Sequence, residues 1–125
     1  MKRKSKKDYY LDIAKAVSER SPCLKLHVGA VIVKDDCIVS TGYNGPARGI
    51  PHCNVCSREN VPHRSSYSEE CPSVHAEENA VINAARQGTS VVGGIMYVYT
   101  GEDLYPCYRC IRVINNSGIK KVYYK

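Results

Sequence analysis

The sequence predicts an α/β fold in which helices cover both faces of a central mixed sheet of about five strands, giving three layers, α/β/α. Short runs of apolar and β-branched residues alternate with longer segments whose apolar residues recur at helical spacing. Two runs flank a pair of aspartates, as in a hairpin, whereas two others flank a helical segment and are expected to pair in parallel. A chain of 125 residues is long enough for one such domain and too short for two.

The first predicted element is a helix over residues 8–20, with apolar side chains at helical spacing at Tyr10, Ile13, Ala14 and Val17. Asp8 is a candidate N-cap, and Pro22 stops the helix. The preceding run is strongly basic and is expected to be solvated. We therefore expect residues 1–8 to form a basic flexible tail and residues 9–125 to form a single domain.

Two strands and a long loop come next. Residues 28–33 form a continuous apolar run, typical of a strand buried on both faces, and residues 38–43 form its hairpin partner across Asp35 and Asp36. Residues 44–72 are rich in Gly, Pro, Ser, Asn, Cys and His and show no periodicity. So long a loop is usually functional or held by something other than an apolar core.

The C-terminal half reads helix, strand, helix, strand. The second helix, residues 74–87, turns Ala76, Ala80, Val81 and Ala84 inward and ends near Gly88. Residues 95–99 and 120–124 are the strands, and residues 107–116 form the helix between them. A strand-helix-strand crossover makes the two strands parallel.

Composition and charge limit the classes of protein that the chain can represent. The absence of a long apolar run argues against a membrane span or a secretory segment. Seven cysteines without a signal peptide indicate a reducing compartment and metal binding, so we expect a cytoplasmic protein, or one of the host cytoplasm if it is viral. Much of the formal net charge of +6 lies in the N-terminal run, so nucleic acid is not an expected partner.

The residues that carry chemistry lie in two motifs. His75 and Glu77 stand in the first turn of a predicted helix, and Cys107 and Cys110 follow Pro106 one turn apart. One imidazole and two thiolates make three zinc ligands and leave the fourth position open for water, as in catalytic sites. Either motif alone would also fit core packing, a structural zinc or a redox pair. Together they match the signature of the zinc nucleobase deaminases, in which Glu77 would carry the proton.

The motifs and their order resemble the cytidine-deaminase-like superfamily and, within it, the deoxycytidylate (dCMP) deaminase family over nearly the whole chain. The segments that carry the resemblance are residues 28–33, 42–49, 52–53 and 75–80. The zinc motif alone would fit cytidine, tRNA-adenosine, guanine or riboflavin-pathway deaminases equally well. The stretch Gly42-Tyr43-Asn44-Gly45 is what points to the dCMP branch.

The resemblance implies hydrolytic deamination of dCMP to dUMP and ammonia, which would supply dUMP for thymidylate synthesis. It implies a catalytic zinc on His75, Cys107 and Cys110, with Glu77 moving the proton and Asn44 binding substrate. Asn44 has an alternative role, because Asn-Gly is a turn signal in its own right. The cationic candidates for the 5′-phosphate are Lys25, Arg48 and Arg109.

The remaining cysteines suggest a second metal site. Cys37 sits in the hairpin, which leaves Cys23, Cys53, Cys56 and Cys71 as candidate ligands of a closed, structural zinc. Relatives in the dCMP branch often carry such a zinc at the positions of Cys23 and Cys53. His63 or His52 could replace one thiolate, and scattered reduced cysteines are the alternative. A zinc would hold a loop that is too polar to pack by itself.

Regulation is a further implication of the resemblance. It implies a homohexamer with nucleotide sites between subunits, activated by dCTP, with Mg²⁺ as a candidate companion of that effector, and inhibited by dTTP. The positions carried over to this role are Gly42, Tyr43, Gly45 and Arg86. The segment from Thr100 to Tyr105 is longer than the family's usual connection and is expected to border the site, where it would affect base or sugar selectivity.

Two other functions stay open at this point. The first is deamination of another base, nucleoside or tRNA. The second is a non-enzymatic, zinc-binding interaction protein, for which Glu77→Gln would change nothing, because Glu77 ligates no metal.

Overall fold

A computed structural model describes residues 2–57, 71–102 and 107–125 and confirms the α/β prediction. A four-stranded mixed sheet lies between one helix on one face and two helices on the other. In chain order the elements are α1 (Lys6–Ser18), β1 (Gly29–Lys34), β2 (Cys37–Tyr43), β3 (Gly45–Pro46), β4 (Ser73–Val74), α2 (Ala76–Gln87), β5 (Ile95–Tyr99), α3 (Tyr108–Ser117) and β6 (Lys121–Tyr124).

The central sheet has the strand order β2-β1-β5-β6. Strand β1 is antiparallel to both β2 and β5, whereas β5 and β6 are parallel, as the crossover through α3 predicts. The described residues thus contain four central strands instead of the predicted five or so. Strands β3 and β4 form a separate two-stranded sheet, which is too short to leave a periodic signal in the sequence.

Strand β1 is the centre of the packing. Ala30, Val31 and Ile32 are fully buried, which confirms that both faces of the strand are covered. On one face Ala30 and Ile32 join a core cluster with α2 and α3, and on the other face Val31 joins a cluster with α1. The three predicted layers follow from this alternation, because successive side chains of a strand point to opposite faces.

Helix α1 begins earlier than predicted. Its N-cap is Ser5, whose Oγ accepts a hydrogen bond from the Asp8 backbone N–H at 3.1 Å, so the prediction of Asp8 as N-cap is wrong. The predicted tail boundary at residue 8 therefore falls inside the helix. Two basic residues of the run bind carboxylates: Lys4 pairs with Asp12, and Lys6 Nζ lies 3.1 Å from an oxygen of Asp36.

The hairpin between β1 and β2 turns at the predicted pair of aspartates. Asp35 and Asp36 both have positive φ, 51° and 61°, the conformation that a two-residue hairpin turn requires and that Asp tolerates better than most residues. The Tyr10 hydroxyl of α1 donates to Asp36 Oδ1 at 3.0 Å. This bond ties the turn to the helix that covers the sheet.

Helix α2 lies unusually close to strand β2. A Cβ atom on Gly42 would stand 2.3 Å from the Ala80 nitrogen, so a glycine is required there. Asn79 and Asn83, one helical turn apart, donate from Nδ2 to the Tyr43 and Thr41 carbonyls, each at 2.8 Å. These three contacts fix α2, and with it the start of the helix, on the sheet.

Among the described residues, no helix combines the length and the apolar character needed to cross a membrane.

Candidate active site

Two helix starts meet beside the sheet and form the candidate site. His75 is the N-cap of α2 and Cys107 is the N-cap of α3, while Cys110 lies one turn into α3 and is fully buried. Helix α2 starts two residues later than predicted, because Ser73 and Val74 pair with β3 instead. Pro106, predicted to open the second of these helices, lies outside the described residues.

The three predicted zinc ligands come together. His75 Nδ1 lies 3.3 Å from Cys110 Sγ and 3.5 Å from Cys107 Sγ, and all three ligand atoms lie within 4.8 Å of one another. A tetrahedral zinc with ordinary bond lengths would hold a nitrogen and a sulfur about 3.6 Å apart. The spacing and the donor types therefore fit zinc. No other His, Cys, Asp or Glu cluster within the described residues meets the same criterion.

The two thiols are not equivalent. Cys107 accepts hydrogen bonds from the Cys110 thiol, from His75 and from the Cys110 backbone N–H at 3.2 Å, and these contacts lower its pKa from 9.0 to about 4. The contact with Cys107, together with burial, raises the pKa of Cys110. A helix N-terminus stabilises a thiolate through its free N–H groups. The start of α3 therefore holds Cys107 as an anion that can bind a cation.

Glu77 stands two residues after His75 and is 6% exposed. Burial raises its pKa above the ordinary value, although the neighbouring His75 opposes the rise. For His75 itself burial works in the opposite direction, but the contact with Cys107 and the nearby carboxylates outweigh it and raise the pKa. A buried carboxyl beside a metal-type cluster and with a raised pKa is suited to accepting and releasing a proton.

Glu78 links the two helix starts. One of its oxygens accepts the His75 backbone N–H at 3.3 Å, and the other lies 3.5 Å from Arg109 Nε. Arg109, a predicted phosphate ligand, is mostly exposed and projects from the first turn of α3. Its contact with Glu78 connects α3 to α2 beside the zinc ligands.

Asn44 is buried and uses both ends of its amide. Its Oδ1 accepts the Val28 backbone N–H at 2.9 Å, and its Nδ2 donates to the Leu26 carbonyl at 2.8 Å. The side chain thus fixes the segment that enters β1. The turn that an Asn-Gly pair suggests is not formed by residues 44–45, because Gly45 enters strand β3.

The other predicted binding residues lie in several places. Arg48 donates from Nη2 to Asn83 Oδ1 at 2.9 Å and lines a groove of about 360 Å³ that also contains Tyr43, Gly45 and His52. Lys25 is half-buried in the connection between α1 and β1. Arg86 is exposed in the last turn of α2. Asp103 to Tyr105, in the predicted long connection, lie outside the described residues.

Four cysteines line one small cavity. Cys23, Cys53, Cys56 and Cys71 all border a space of about 30 Å³ beside β3 and β4, in walls that are mostly apolar. All four are free thiols and half-buried. No three of these sulfurs lie within 4.8 Å of one another. His63, the predicted substitute ligand, lies outside the described residues, and His52 lines the larger groove instead.

One residue of the site has no signal in the sequence. Tyr124, the last residue of β6, donates its hydroxyl to Glu77 Oε2 across 3.4 Å. Burial raises the pKa of Tyr124 well above its usual range, so the hydroxyl stays protonated. The two residues are 47 positions apart and belong to different motifs, so only the packing of β6 beside β5 reveals the contact.

A mixed sheet between helices, with an imidazole and two thiols at two helix starts and a buried carboxyl alongside, defines the class of zinc-dependent hydrolytic deaminases. The sequence family described as the cytidine and deoxycytidylate deaminase zinc-binding region matches residues 4–125. The chain therefore belongs to the cytidine and deoxycytidylate deaminase family, as the resemblance predicts.

Individual relatives agree with this assignment. The deoxycytidylate deaminase of Mycobacterium phage D29 is 42% identical over 123 residues, which cover 94% of this chain and 91% of that protein. The deoxycytidylate deaminase of Enterobacteria phage T4 is 38% identical over an alignment of 147 positions, gaps included, which covers 91% of this chain and 74% of that protein. A crystal structure of dCMP deaminase from the cyanophage S-TIM5, in complex with dCMP and dUMP, is 28% identical, with a TM-score of 0.78 over 99% of this chain and 83% of that one.

Proposed function

We propose that this protein converts dCMP to dUMP and ammonia by zinc-assisted hydrolysis. The observation that carries the proposal is the meeting of His75, Cys107 and Cys110 at two helix starts, with the buried carboxyl of Glu77 alongside. The similarity to deoxycytidylate deaminases over more than nine-tenths of the chain supports dCMP as the substrate. The dUMP formed would feed thymidylate synthesis in the cytoplasm, or in the host cytoplasm for a viral protein.

The residues present divide the work. Zinc held by His75, Cys107 and Cys110 would lower the pKa of a water to roughly 7, so that a nucleophile is available at neutral pH. Glu77 accepts a proton from the attacking water and delivers it to N3 of the cytosine ring. Glu77, again a carboxylate, takes the proton of the hydroxyl newly bonded to C4 and passes it to the departing amino group. The C4–N bond breaks as the C4 carbonyl forms, and ammonia leaves. The raised pKa of Glu77 suits this exchange, because a group that must both accept and release a proton works best near the operating pH.

Substrate binding is assigned to the residues around the site. Asn44 is held rigidly by two backbone contacts, which supports a role in presenting its remaining amide hydrogen and the adjacent chain to the sugar. Arg109 is the candidate phosphate ligand nearest the zinc ligands, since it begins α3 and contacts Glu78. Arg48 and Lys25 are the other candidates. An Arg suits a phosphate because its planar group donates two parallel hydrogen bonds.

A second, structural zinc is part of the proposal. Support comes from the four cysteines that border one cavity, Cys23, Cys53, Cys56 and Cys71. A closed site of four thiolates would require the four sulfurs, which already border one cavity, to move together until they surround one ion. Binding would join the end of the α1 connection to both ends of the long loop.

The regulatory proposal is a homohexamer that dCTP, with Mg²⁺, activates and dTTP inhibits. The groove lined by Tyr43, Gly45, Arg48 and His52 supports a nucleotide site, because it is large enough for a nucleotide and carries cationic and aromatic side chains. Gly42 lies on β2 and Arg86 lies on α2, and these two elements also contribute Tyr43 and Asn83 to the groove. Light scattering with and without dCTP tests this part, and a monomer in both samples would exclude it.

The proposed activity is tested by ammonia release from dCMP, deoxycytidine, CMP and dCTP, with wild-type protein and Glu77→Gln. We expect turnover of dCMP, and a loss of about 10²–10⁴-fold in kcat for the variant with its zinc content unchanged. The matched control is Glu19→Gln, the same substitution at the exposed residue that follows α1, which should leave kcat unchanged. Preference for another substrate would move the protein to another deaminase branch. Failure of zinc-loaded wild-type protein to turn over any substrate would favour a binding protein.

A further inference from the structure

Strand β6 brings a hydroxyl to the carboxyl that moves the proton. Tyr124 pairs in the sheet with Val98, which is fully buried, and its ring packs against the core cluster that includes Ala76 and Ala80 of α2. From that position the Tyr124 hydroxyl lies 3.4 Å from Glu77 Oε2. The contact joins the end of one strand to the first turn of the catalytic helix.

The backbone on both sides of Tyr124 is anchored. The Lys125 backbone N–H donates to the Val98 carbonyl at 2.9 Å, and the Thr100 backbone N–H donates to the Lys125 carbonyl at 2.8 Å. Together with the ladder to β5, these bonds fix the strand end from which the ring projects. The backbone of Tyr124 is therefore placed by the sheet.

We propose that Tyr124 is a positioning residue for Glu77: its hydroxyl holds one carboxyl oxygen so that the other is kept toward the reacting groups. This role rests on the proposed deamination. A Glu side chain has three rotatable bonds, and a proton carrier that moves about loses the alignment on which proton transfer depends.

A hydroxyl is chemically suited to this partner. In the proposed cycle Glu77 alternates between a carboxylate and a carboxylic acid. A hydroxyl donates a hydrogen bond to the carboxylate and accepts one from the acid, so the contact persists in both states. A Lys or Arg at this place could only donate, and would favour the charged form of Glu77 alone.

The chain offers a matched control in the preceding residue. Tyr123 has the same hydroxyl and lies on the same strand, but its ring faces the α1 layer and stacks on Tyr97, with ring centroids 5.4 Å apart. Tyr124→Phe and Tyr123→Phe each remove one oxygen from β6 and leave the ring in place. Only the first removal touches Glu77.

The test is steady-state kinetics of wild-type protein, Tyr124→Phe and Tyr123→Phe with dCMP, together with zinc content and melting temperature. We expect Tyr124→Phe to lower kcat by roughly tenfold with KM within about twofold, because a bond to a charged group that matters only in catalysis is lost. Zinc content should be unchanged and Tyr123→Phe should match wild type. A wild-type kcat in Tyr124→Phe, a loss expressed only in KM, or an equal loss in Tyr123→Phe would overturn the role.

A second comparison separates positioning of Glu77 from a general effect on the fold. In a Glu77→Asp background the carboxyl is withdrawn by one methylene from the Tyr124 hydroxyl, so adding Tyr124→Phe should cost less than about twofold, read by product formed in long incubations. An undiminished tenfold cost there would show that Tyr124 acts elsewhere. Inactive zinc-loaded wild-type protein would instead overturn the deaminase function, and this role with it.

Discussion

Two clusters of cysteine side chains in this protein differ in how far the fold has assembled them. In the catalytic cluster, Cys107, Cys110 and His75 have their ligand atoms within 4.8 Å of one another. In the loop cluster, Cys23, Cys53, Cys56 and Cys71 face one cavity, but no three of their sulfurs come that close. The fold therefore brings the ligand atoms of the catalytic cluster to metal-binding distances, whereas it places the sulfurs of the loop cluster only around a common cavity.

The difference follows from what carries each ligand. The catalytic ligands belong to the first turns of α2 and α3, and both helices pack on the sheet through buried residues such as Ala80 and Ile114. Their positions are thus determined by the apolar core before any metal binds. The loop ligands sit on chain without regular structure beside the short strands β3 and β4. At the loop cluster, the free energy of the proposed zinc binding would have to supply the order that apolar packing supplies at the helices.

Loss of a catalytic ligand should give the largest effect. We expect Cys110→Ala to lower kcat/KM by at least about 10³-fold, since zinc no longer activates water at neutral pH. One equivalent of zinc should be lost, and the proposed loop zinc should stay, as metal analysis of the purified protein would show. Cys37→Ala, at an exposed cysteine of the hairpin, is the control and should change neither quantity. Loss of both zinc equivalents from Cys110→Ala would mean that the two clusters are not independent.

Disturbing the packing of α2 on β2 should lower zinc affinity at the catalytic cluster and leave the loop cluster unchanged. Gly42→Ala would push a methyl group into the α2 backbone, where the Ala80 nitrogen stands 2.3 Å away, and should cost about 3 kcal/mol of unfolding free energy. Zinc affinity at the catalytic cluster should fall with it, while zinc binding at the proposed loop site should not change. In Gly88→Ala the new Cβ meets no atom within 4 Å. The only expected cost, roughly 1 kcal/mol of unfolding free energy, comes from the φ of 72° at this position. Denaturant unfolding and zinc titration of both variants measure the contrast, and equal costs would refute the close-approach argument.

Removing a cysteine of the loop cluster should lower stability more than activity, the reverse of removing a catalytic ligand. We expect Cys53→Ala to lose one zinc equivalent and to lower the melting temperature by about 10 °C, roughly 2 kcal/mol, while dCMP turnover falls much less than in Cys110→Ala. The reason is that the loop zinc would hold chain together and take no part in the reaction. Differential scanning calorimetry and metal analysis give both values. An unchanged melting temperature and zinc content would contradict the proposal of a structural zinc.

The smallest expected effect is on thiol reactivity after zinc is chelated. Because the pKa of Cys107 is lowered from 9.0 to about 4, it stays a thiolate from pH 5 to pH 8, and its alkylation rate should be flat over that range. At pH 6 an ordinary cysteine is about 10³-fold less ionised, but a thiolate of low pKa is less nucleophilic, so the net advantage is only about three- to tenfold. Peptide mapping after iodoacetamide treatment reads each cysteine. A tenfold rise in the Cys107 rate per pH unit would contradict the assembled cluster.

Most of the fold follows from local patterns in the sequence. Strand β5 is predicted at its observed bounds, and α2 ends at Gly88 as predicted, with this glycine in the left-handed conformation. The meeting of His75, Cys107 and Cys110 is predictable because the spacing of each motif reflects one helix start. The errors lie where tertiary contacts override local signals: Ser5 caps α1 in place of Asp8, and Val74 leaves α2 to pair with β3.

The parts of the site that the sequence did not reveal depend on distant pairs. Tyr124 reaches Glu77, and Asn44 holds the backbone of Leu26 and Val28, through bonds between segments with no shared pattern. The groove beside Arg48 is likewise formed between α2 and the edge of β2, so the sequence reveals it only once the positions of both elements are known. Periodicity cannot carry such information, since each partner looks ordinary within its own element.

The two asparagines of α2 also limit how copies of this protein can associate. Strand β2 is at the edge of the sheet, and the Thr41 and Tyr43 carbonyls face away from β1, where an added strand would bond to them. Asn83 and Asn79 already occupy both acceptors. A strand added by a neighbouring molecule would have to displace both amides before it could bond to these carbonyls, which disfavours edge-to-edge association through the C-terminal part of β2.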